Sequence, residues 1–156
     1  MKTLRYLLLE KLYEWSKIPY RWLFKNESPW GLTVQDLLSY PSDSLGYHLG
    51  CFLLRNHFTP EPQLEDHDVF HVLTQTGISV PEEIAMQFYL LGNGKRSAYL
   101  FTVICVGLVL FPDELPRFTK SFKKGKTAAR FYDHNFLKLL PLPLQQLQQT
   151  FKINFA

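Results

Sequence analysis

Apolar residues recur at helical spacing through almost the whole of this chain, and prolines at 19, 41, 60, 81, 112 and 143 cut the pattern into helix-length pieces. No period-2 alternation of useful length interrupts it, so helices alone are available to build a core. A first helix is expected from Thr3 to Ile18, ending at Pro19, and a short second one from Thr33 to Tyr40, ending at Pro41. Ser42 or Ser44 can cap a third, through Leu45, Leu49, Phe52 and Leu53, that stops before Thr59-Pro60. The fourth carries His67 to Leu73 and is expected to end at Gly77. Ser79-Val80-Pro81-Glu82 opens a fifth, with a Ser-x-x-Glu capping box and proline in the first turn. Gly92-Asn93-Gly94 reads as a turn of residues that accept positive φ, leading into an apolar stretch from Ala98 to Phe111. A basic helix or helix pair over Asp113 to Phe131 and an amphipathic one over Pro143 to Lys152 complete the expectation. The sequence therefore predicts one all-α domain over residues 1–156, of about seven helices around one central hydrophobic helix.

A chain of 156 residues, 46% hydrophobic, has the size of one ordinary domain with a substantial core. The segment Ala98 to Phe111 would be only about 21 Å long as a helix, against ~30 Å of bilayer hydrocarbon, and so reads as a core helix. Cys51 and Cys105 fit neither a disulfide framework nor a zinc cysteine cluster, which predicts a reducing, cytoplasmic setting, with Cys105 a small buried hydrophobe. Lys2 and Arg5 precede Leu7-Leu8-Leu9, but Glu10 and Lys11 break the run, so no export signal is expected.

Charge is segregated. Residues 1–25 hold six basic and two acidic side chains, and residues 117–130 hold six basic ones with no acid. From Asn56 to Gly94 there is no lysine or arginine, while Glu61, Glu65, Asp66, Asp68, Glu82 and Glu83 supply six carboxylates. An acidic middle that also carries imidazoles favours a bound cation, and basic flanks favour an anionic headgroup, phosphate or lipid surface.

The cation has an evident place. At ~100° per residue, a helix puts His67, Asp68 and His71 within an arc of roughly 100°, so two imidazoles and a carboxylate share one face. With Glu82 engaged in the capping box, Glu83 is free to turn towards the preceding helix, since helices joined by so short a connection are expected to pack antiparallel. Neutral imidazole nitrogen and carboxylate oxygen suit zinc, iron, cobalt, manganese or magnesium, and the sequence leaves these open. The same run equally suits the solvated stripe of an amphipathic helix, because Val69, Phe70 and Leu73 lie on its far side. His48, His57 and His134 are lone histidines in core or surface positions.

Tyr6, Tyr13, Tyr20, Trp15 and Trp22 stand among lysines and arginines, so residues 1–29 read as an amphipathic segment that lies in a membrane interface or packs its rings on the core. Lys95, Arg96, Lys123, Lys124 and Lys126 can hold a phosphate or lipid headgroup, or form a solvated face. Gly92-Asn93-Gly94-Lys95 lacks the spacing of a phosphate loop, no Gly-x-Ser-x-Gly or Cys/His pair offers a nucleophile, and a net charge of +3 around an acidic centre argues against nucleic acid.

His67-Asp68-x-x-His71, eleven residues, then Glu83 resembles the signature of the fourth protein of the Coq series, the coenzyme Q (ubiquinone) biosynthesis family. Upstream, Tyr40-Pro41, Leu45-Gly46 and Phe58-Thr59-Pro60 are similar to that family's approach to the motif; downstream, Lys124-Gly125-Lys126 through Pro143-Leu144 to Ile153 is similar to its C-terminal stretch. The likeness covers roughly residues 30–153. It implies an all-helical fold, a divalent metal held by His67, Asp68, His71 and Glu83 with an open coordination position, and a neighbouring hydrophobic cavity for an isoprenoid or prenylquinone-type lipid. It further implies a peripheral position on the inner face of a membrane, partners among quinone-biosynthesis proteins, and oxidative decarboxylation of a prenylated ring acid. A homodimer is left open. Gln148 stands where an arginine is usual in that family, and Phe88-Tyr89-Leu90-Leu91 is more apolar than its pattern. The alternatives are a non-catalytic lipid-binding scaffold of the same fold and an HD-type metal-dependent phosphohydrolase, which would draw on His48 or His57 and Asp113 or Asp133 and leave Glu83 idle.

Overall fold

A computed structural model describes residues 30–61 and 65–155. The helix expected over Thr3 to Ile18 and the amphipathic segment 1–29 lie outside the described residues. Within them the chain is helical, with no strand. Its α-helices are α1 (Val34–Leu38), α2 (Leu45–Arg55), α3 (Glu65–Thr74), α4 (Val80–Asn93), α5 (Ala98–Leu110), α6 (Leu115–Thr127) and α7 (Leu144–Thr150), with single 3-10 turns at Pro112–Glu114 and Phe136–Leu139.

Local chemistry accounts for most of the boundaries. Thr33 and Asp36 form a reciprocal capping box on α1, and Ser44 caps α2 by accepting from the Tyr47 amide. Ser79 and Glu82 form the expected box on α4, the Glu82 carboxylate accepting from the Ser79 amide at 3.2 Å. Gln75, with φ of 52°, ends α3 in the left-handed conformation. Gly77, expected to do so, instead lies beneath the Glu82 carboxylate, where a Cβ would come within 2.5 Å of an oxygen. The start of α2 is tied to the approach to α7: the Leu45 and Gly46 amides donate to Leu142 and Leu140 carbonyls, each at 2.8 Å.

The main core joins Leu37, Leu45, Leu49 and Leu53 from α1 and α2, Val69, Phe70 and Leu73 from α3, Met86, Tyr89 and Leu90 from α4, and Phe131, Phe136, Leu147 and Phe151 from the C-terminal third. A smaller cluster of Ile84, Ala85, Phe111 and Phe118 lies beyond it, and Phe88 packs against both. The central helix is α4 and not the stretch from Ala98 onwards. Of α5 only Leu100, Ile104 and Gly107 are buried, whereas Phe101, Cys105, Leu108 and Val109 are exposed. An apolar helix with no polar side gives no signal of which face is inside. The centre goes to α4 because it can approach α6 most closely: Gly92 faces the Phe122 carbonyl and Gly125 faces the Tyr89 carbonyl, so the two backbones meet with no side chain between. This placement explains why Phe88 to Leu91 are so apolar. Gly92 is thus a packing residue inside the helix, and only Gly94, at φ of 109°, takes the turn conformation. Between them, buried Asn93 accepts from the Phe131 amide at 3.0 Å and donates to the Ala129 carbonyl at 3.0 Å, fastening the chain after α6 to α4.

Candidate metal centre

His67 and His71 lie one turn apart on α3, and Glu83 lies in the first turn of α4. The sequence predicts that the two helices pack antiparallel, but they are not packed along their length; α4 lies along α6 and meets α3 in few places. Glu83 supplies one of them. Its Oε1 is 3.0 Å from His71 Nε2 and its Oε2 is 3.3 Å from His67 Nε2, while the two Nε2 atoms are 3.2 Å apart. The capping box explains the reach: with Glu82 bent back to Ser79, the next side chain projects about 100° further round the helix.

The His71 ring is oriented from behind. His71 is 2% exposed, stacks on Phe52 of α2 at 5.3 Å between centroids, and places Nδ1 3.0 Å from the Thr76 carbonyl. A carbonyl only accepts, so Nδ1 carries the proton and the neutral ring presents a bare Nε2 to His67 and Glu83. Thr76 is held in turn by its own amide, which donates to the His71 carbonyl at 3.1 Å, and by its hydroxyl, 2.7 Å from that of Thr74. The sequence reading missed Thr76 and the stacking role of Phe52. The polar run Thr74-Gln75-Thr76 at the helix end was the only available signal for the first, and nothing in the sequence marks the second.

Three acceptor atoms converging on one point need either shared protons or a cation. Tetrahedral ligation with bonds of ~2.0–2.1 Å has edges of about 3.3–3.4 Å between ligand atoms, close to the 3.0–3.3 Å found here. Among the described residues, His67, His71 and Glu83 form a group whose ligand atoms all lie within 4.8 Å of one another. The donor set fits a divalent ion and leaves room for a further ligand.

Asp68 is not part of this group. It lines a small cavity with Trp30, Leu32, Leu37, Leu49, Leu53, Pro60 and Glu65. Burial is the main influence on its carboxyl and raises it to about 6; the charges of His67 and His71 pull the other way, and those of Glu83 and Glu61 add to the rise. It therefore bears on the triad through its charge. That cavity encloses about 10 Å³, near the threshold for a single water, so the lipid cavity implied beside the metal is not preformed there.

For Glu83, burial raises the carboxyl, but hydrogen bonds and charge from His67 and His71 outweigh it and hold the group at about 2. For His71, burial favours the neutral ring and is likewise outweighed, by the hydrogen bond and charge of Glu83, so its pKa lies above 6.5. A metal must displace that proton. Because the protonated fraction falls as pH rises, metal affinity is expected to climb with pH, by up to about tenfold per pH unit for each proton displaced, and to level off above the raised His71 pKa. Glu83 is ionised throughout and contributes no slope. Titration calorimetry in buffers of different ionisation enthalpy measures the proton released; affinity independent of pH between 6 and 8 would contradict the assignment.

The residues expected to hold a headgroup come from the end of α4 and from α6. Lys95 places its ammonium 4.9 Å over the Phe70 ring, and Arg96 donates to the Leu91 and Lys95 carbonyls at the end of α4. Lys123 and Lys124 lie on α6. His48 and His57 are exposed, as are Asp113 and Asp133, and Asp133 pairs with Arg130. His134 packs on the surface against Phe151 at 5.1 Å. Gln148 is buried and donates to the Leu73 carbonyl at 3.1 Å, so it steadies the end of α3 from α7.

No protein-family model matches this chain, and no curated protein matches it. Among solved structures, the fold is similar to the crystal structure of a candidate ubiquinone biosynthesis protein from Nostoc punctiforme, with a TM-score of 0.68 over 96% of this chain and 81% of that one. The two are 16% identical, a level at which the likeness is one of fold.

Proposed function

We propose that this chain is a divalent-metal protein of quinone biosynthesis that acts on a prenylated aromatic acid. The observation that carries the reading is the convergence of two imidazole nitrogens and a carboxylate on one point, 3.0–3.3 Å apart, with one ring locked from behind by a main-chain carbonyl. The fold shared with the Nostoc protein supports the pathway. His67, His71 and Glu83 would hold the ion, which when bound supplies Lewis acidity towards a ring carboxylate. Thr76 and Phe52 fix the His71 ring, and the Asp68 charge adds to the negative potential that draws the cation in. The implied reaction is oxidative decarboxylation of the ring acid.

A scaffold that carries a prenyl lipid without turning it over is the second reading, since two imidazoles and a carboxylate can hold an ion whether or not turnover follows. Both readings predict bound metal. Incubating the purified protein under oxygen with prenylated 4-hydroxybenzoate-type acids, while assaying released carbon dioxide, separates them: loss of the carboxyl, abolished by Glu83→Gln, is expected, and co-purifying isoprenoid without turnover would leave the scaffold. The phosphohydrolase is disfavoured because Glu83 is engaged with both histidines while His48 and His57 are exposed.

A further inference from the structure

The outward side of α5 is unlike an ordinary surface helix. Residues 97–111 contain no charged side chain, and at ~100° per residue Ala98, Phe101, Cys105, Leu108 and Val109 fall on one face about 100° wide. All five are exposed, Val109 to 77%. The opposite face is fully used, with Gly107 so close to Ile84 that a Cβ would lie 2.5 Å from its methyl. The exposed face is therefore not a loosely packed part of the core; α5 is already seated on α4, and a contiguous apolar strip remains outside.

What adjoins this strip identifies its occupant. After Leu110 the chain turns through 103° into the segment Pro112–Thr127. Along α6, Arg117, Lys120, Lys123 and Lys124 fall within an arc of about 120°. Lys120 and Lys123 also line, with Leu115, Pro116 and Thr119, an open groove of about 430 Å³ along the first half of α6. Arg117 is partly neutralised by Glu114 at 3.2 Å, but no acidic residue lies from 115 to 130 apart from that neighbour's reach. No single described helix is long and apolar enough to cross a membrane. A short charge-free face followed at a sharp bend by a lysine stripe matches a bilayer boundary, with apolar side chains at acyl depth and ammonium groups at the phosphates.

We propose that the outer face of α5 and the lysine stripe of α6 form a docking surface for an anionic lipid bilayer. The surface is separate from the metal triad and does not depend on the proposed chemistry. Flotation of the full chain with phosphatidylcholine vesicles, with and without phosphatidylglycerol, tests it. Binding is expected to need phosphatidylglycerol and to fall with added salt. The doubly substituted Phe101→Glu/Val109→Glu chain should partition at least about tenfold less, and Lys120→Glu/Lys123→Glu should lose about fivefold or more per charge on anionic vesicles alone. Both pairs are exposed, so thermal melts should match the parent and confirm folding. Residues 1–29 are retained in every variant, so the change reads this face. A fluorophore on Cys105, in a Cys51→Ser background, should be quenched by a lipid-borne quencher. Unchanged partitioning of either variant, or an unquenched Cys105 probe on floated protein, would overturn the proposal. So would a change from dimer to monomer in Phe101→Glu/Val109→Glu with vesicle binding intact, which would make this face a contact between copies.

Discussion

Replacing His71 with alanine is expected to take the purified protein from about one divalent ion per chain to background. The ring supplies one of three convergent ligand atoms and the one most firmly set, between Phe52 and the Thr76 carbonyl. Structural zinc sites with four ligands bind with roughly 10–16 kcal/mol, so each ligand accounts for about a quarter and its loss for a 10²–10³-fold weakening. Truncation also leaves a cavity against Phe52, so Glu83→Gln is the companion variant: it preserves shape, keeps only one carbonyl oxygen for two rings, and should empty the site without a comparable fall in folding stability. Asp68→Asn is expected to weaken binding only about ten- to hundredfold, as removal of a supporting charge does. Metal analysis after gel filtration, with calorimetric affinities, decides between these. If Asp68→Asn strips the metal as completely as Glu83→Gln, the carboxylate must swing in as a fourth ligand.

That contrast shows where sequence reasoning reaches its limit. The spacing of His67 and His71 fixes them one turn apart on any α-helix, and the Ser79–Glu82 box removes Glu82 from contention, so the three candidates were legible from local rules, whereas the meeting of Glu83 with both rings is set by where α3 and α4 touch. Asp68 shared the arc but sits at its far edge, and there the choice between the metal and the Trp30–Leu53 cavity is made by neighbouring helices. The central helix was misplaced for a similar reason. Hydropathy counts apolar residues without saying which two helices can come closest, and α5 loses the centre to α4 because of a backbone contact that no composition measures. Asn93 was read as part of a turn, yet it spans to residues 125–131, a partnership without any local signature.

The same backbone contact underlies the largest expected loss of stability. A methyl at Gly125 would lie 2.0 Å from the Tyr89 carbonyl oxygen, 2.9 Å from its carbon and 3.0 Å from the Asn93 amide nitrogen. All three are main-chain atoms inside or at the end of α4, so no rotamer change can relieve the overlap. Helices α4 and α6 would have to separate, opening the cluster of Ile84, Ala85, Phe111 and Phe118 and drawing Asn93 away from the Gly125 and Ala129 carbonyls. Overpacked cores lose ~1–3 kcal/mol when side chains can yield, and here they cannot, so Gly125→Ala should cost about 3 kcal/mol or more. For a domain of this size that lowers the melting temperature by roughly 6–12 °C. Gly92→Ala, which meets the Phe122 carbonyl at 2.2 Å from the other side of the same crossing, should do likewise. Gly31→Ala serves as the contrast: nothing lies within 4 Å, so its cost is confined to the strain of a φ of 68°. A melt for Gly125→Ala within a degree or two of the parent would mean that the two helices are held together by something other than their backbones. Because Glu83 projects from the first turn of α4, any shift of that helix also carries the carboxylate away from His67 and His71, so metal affinity should fall together with stability in Gly125→Ala but not in Gly31→Ala.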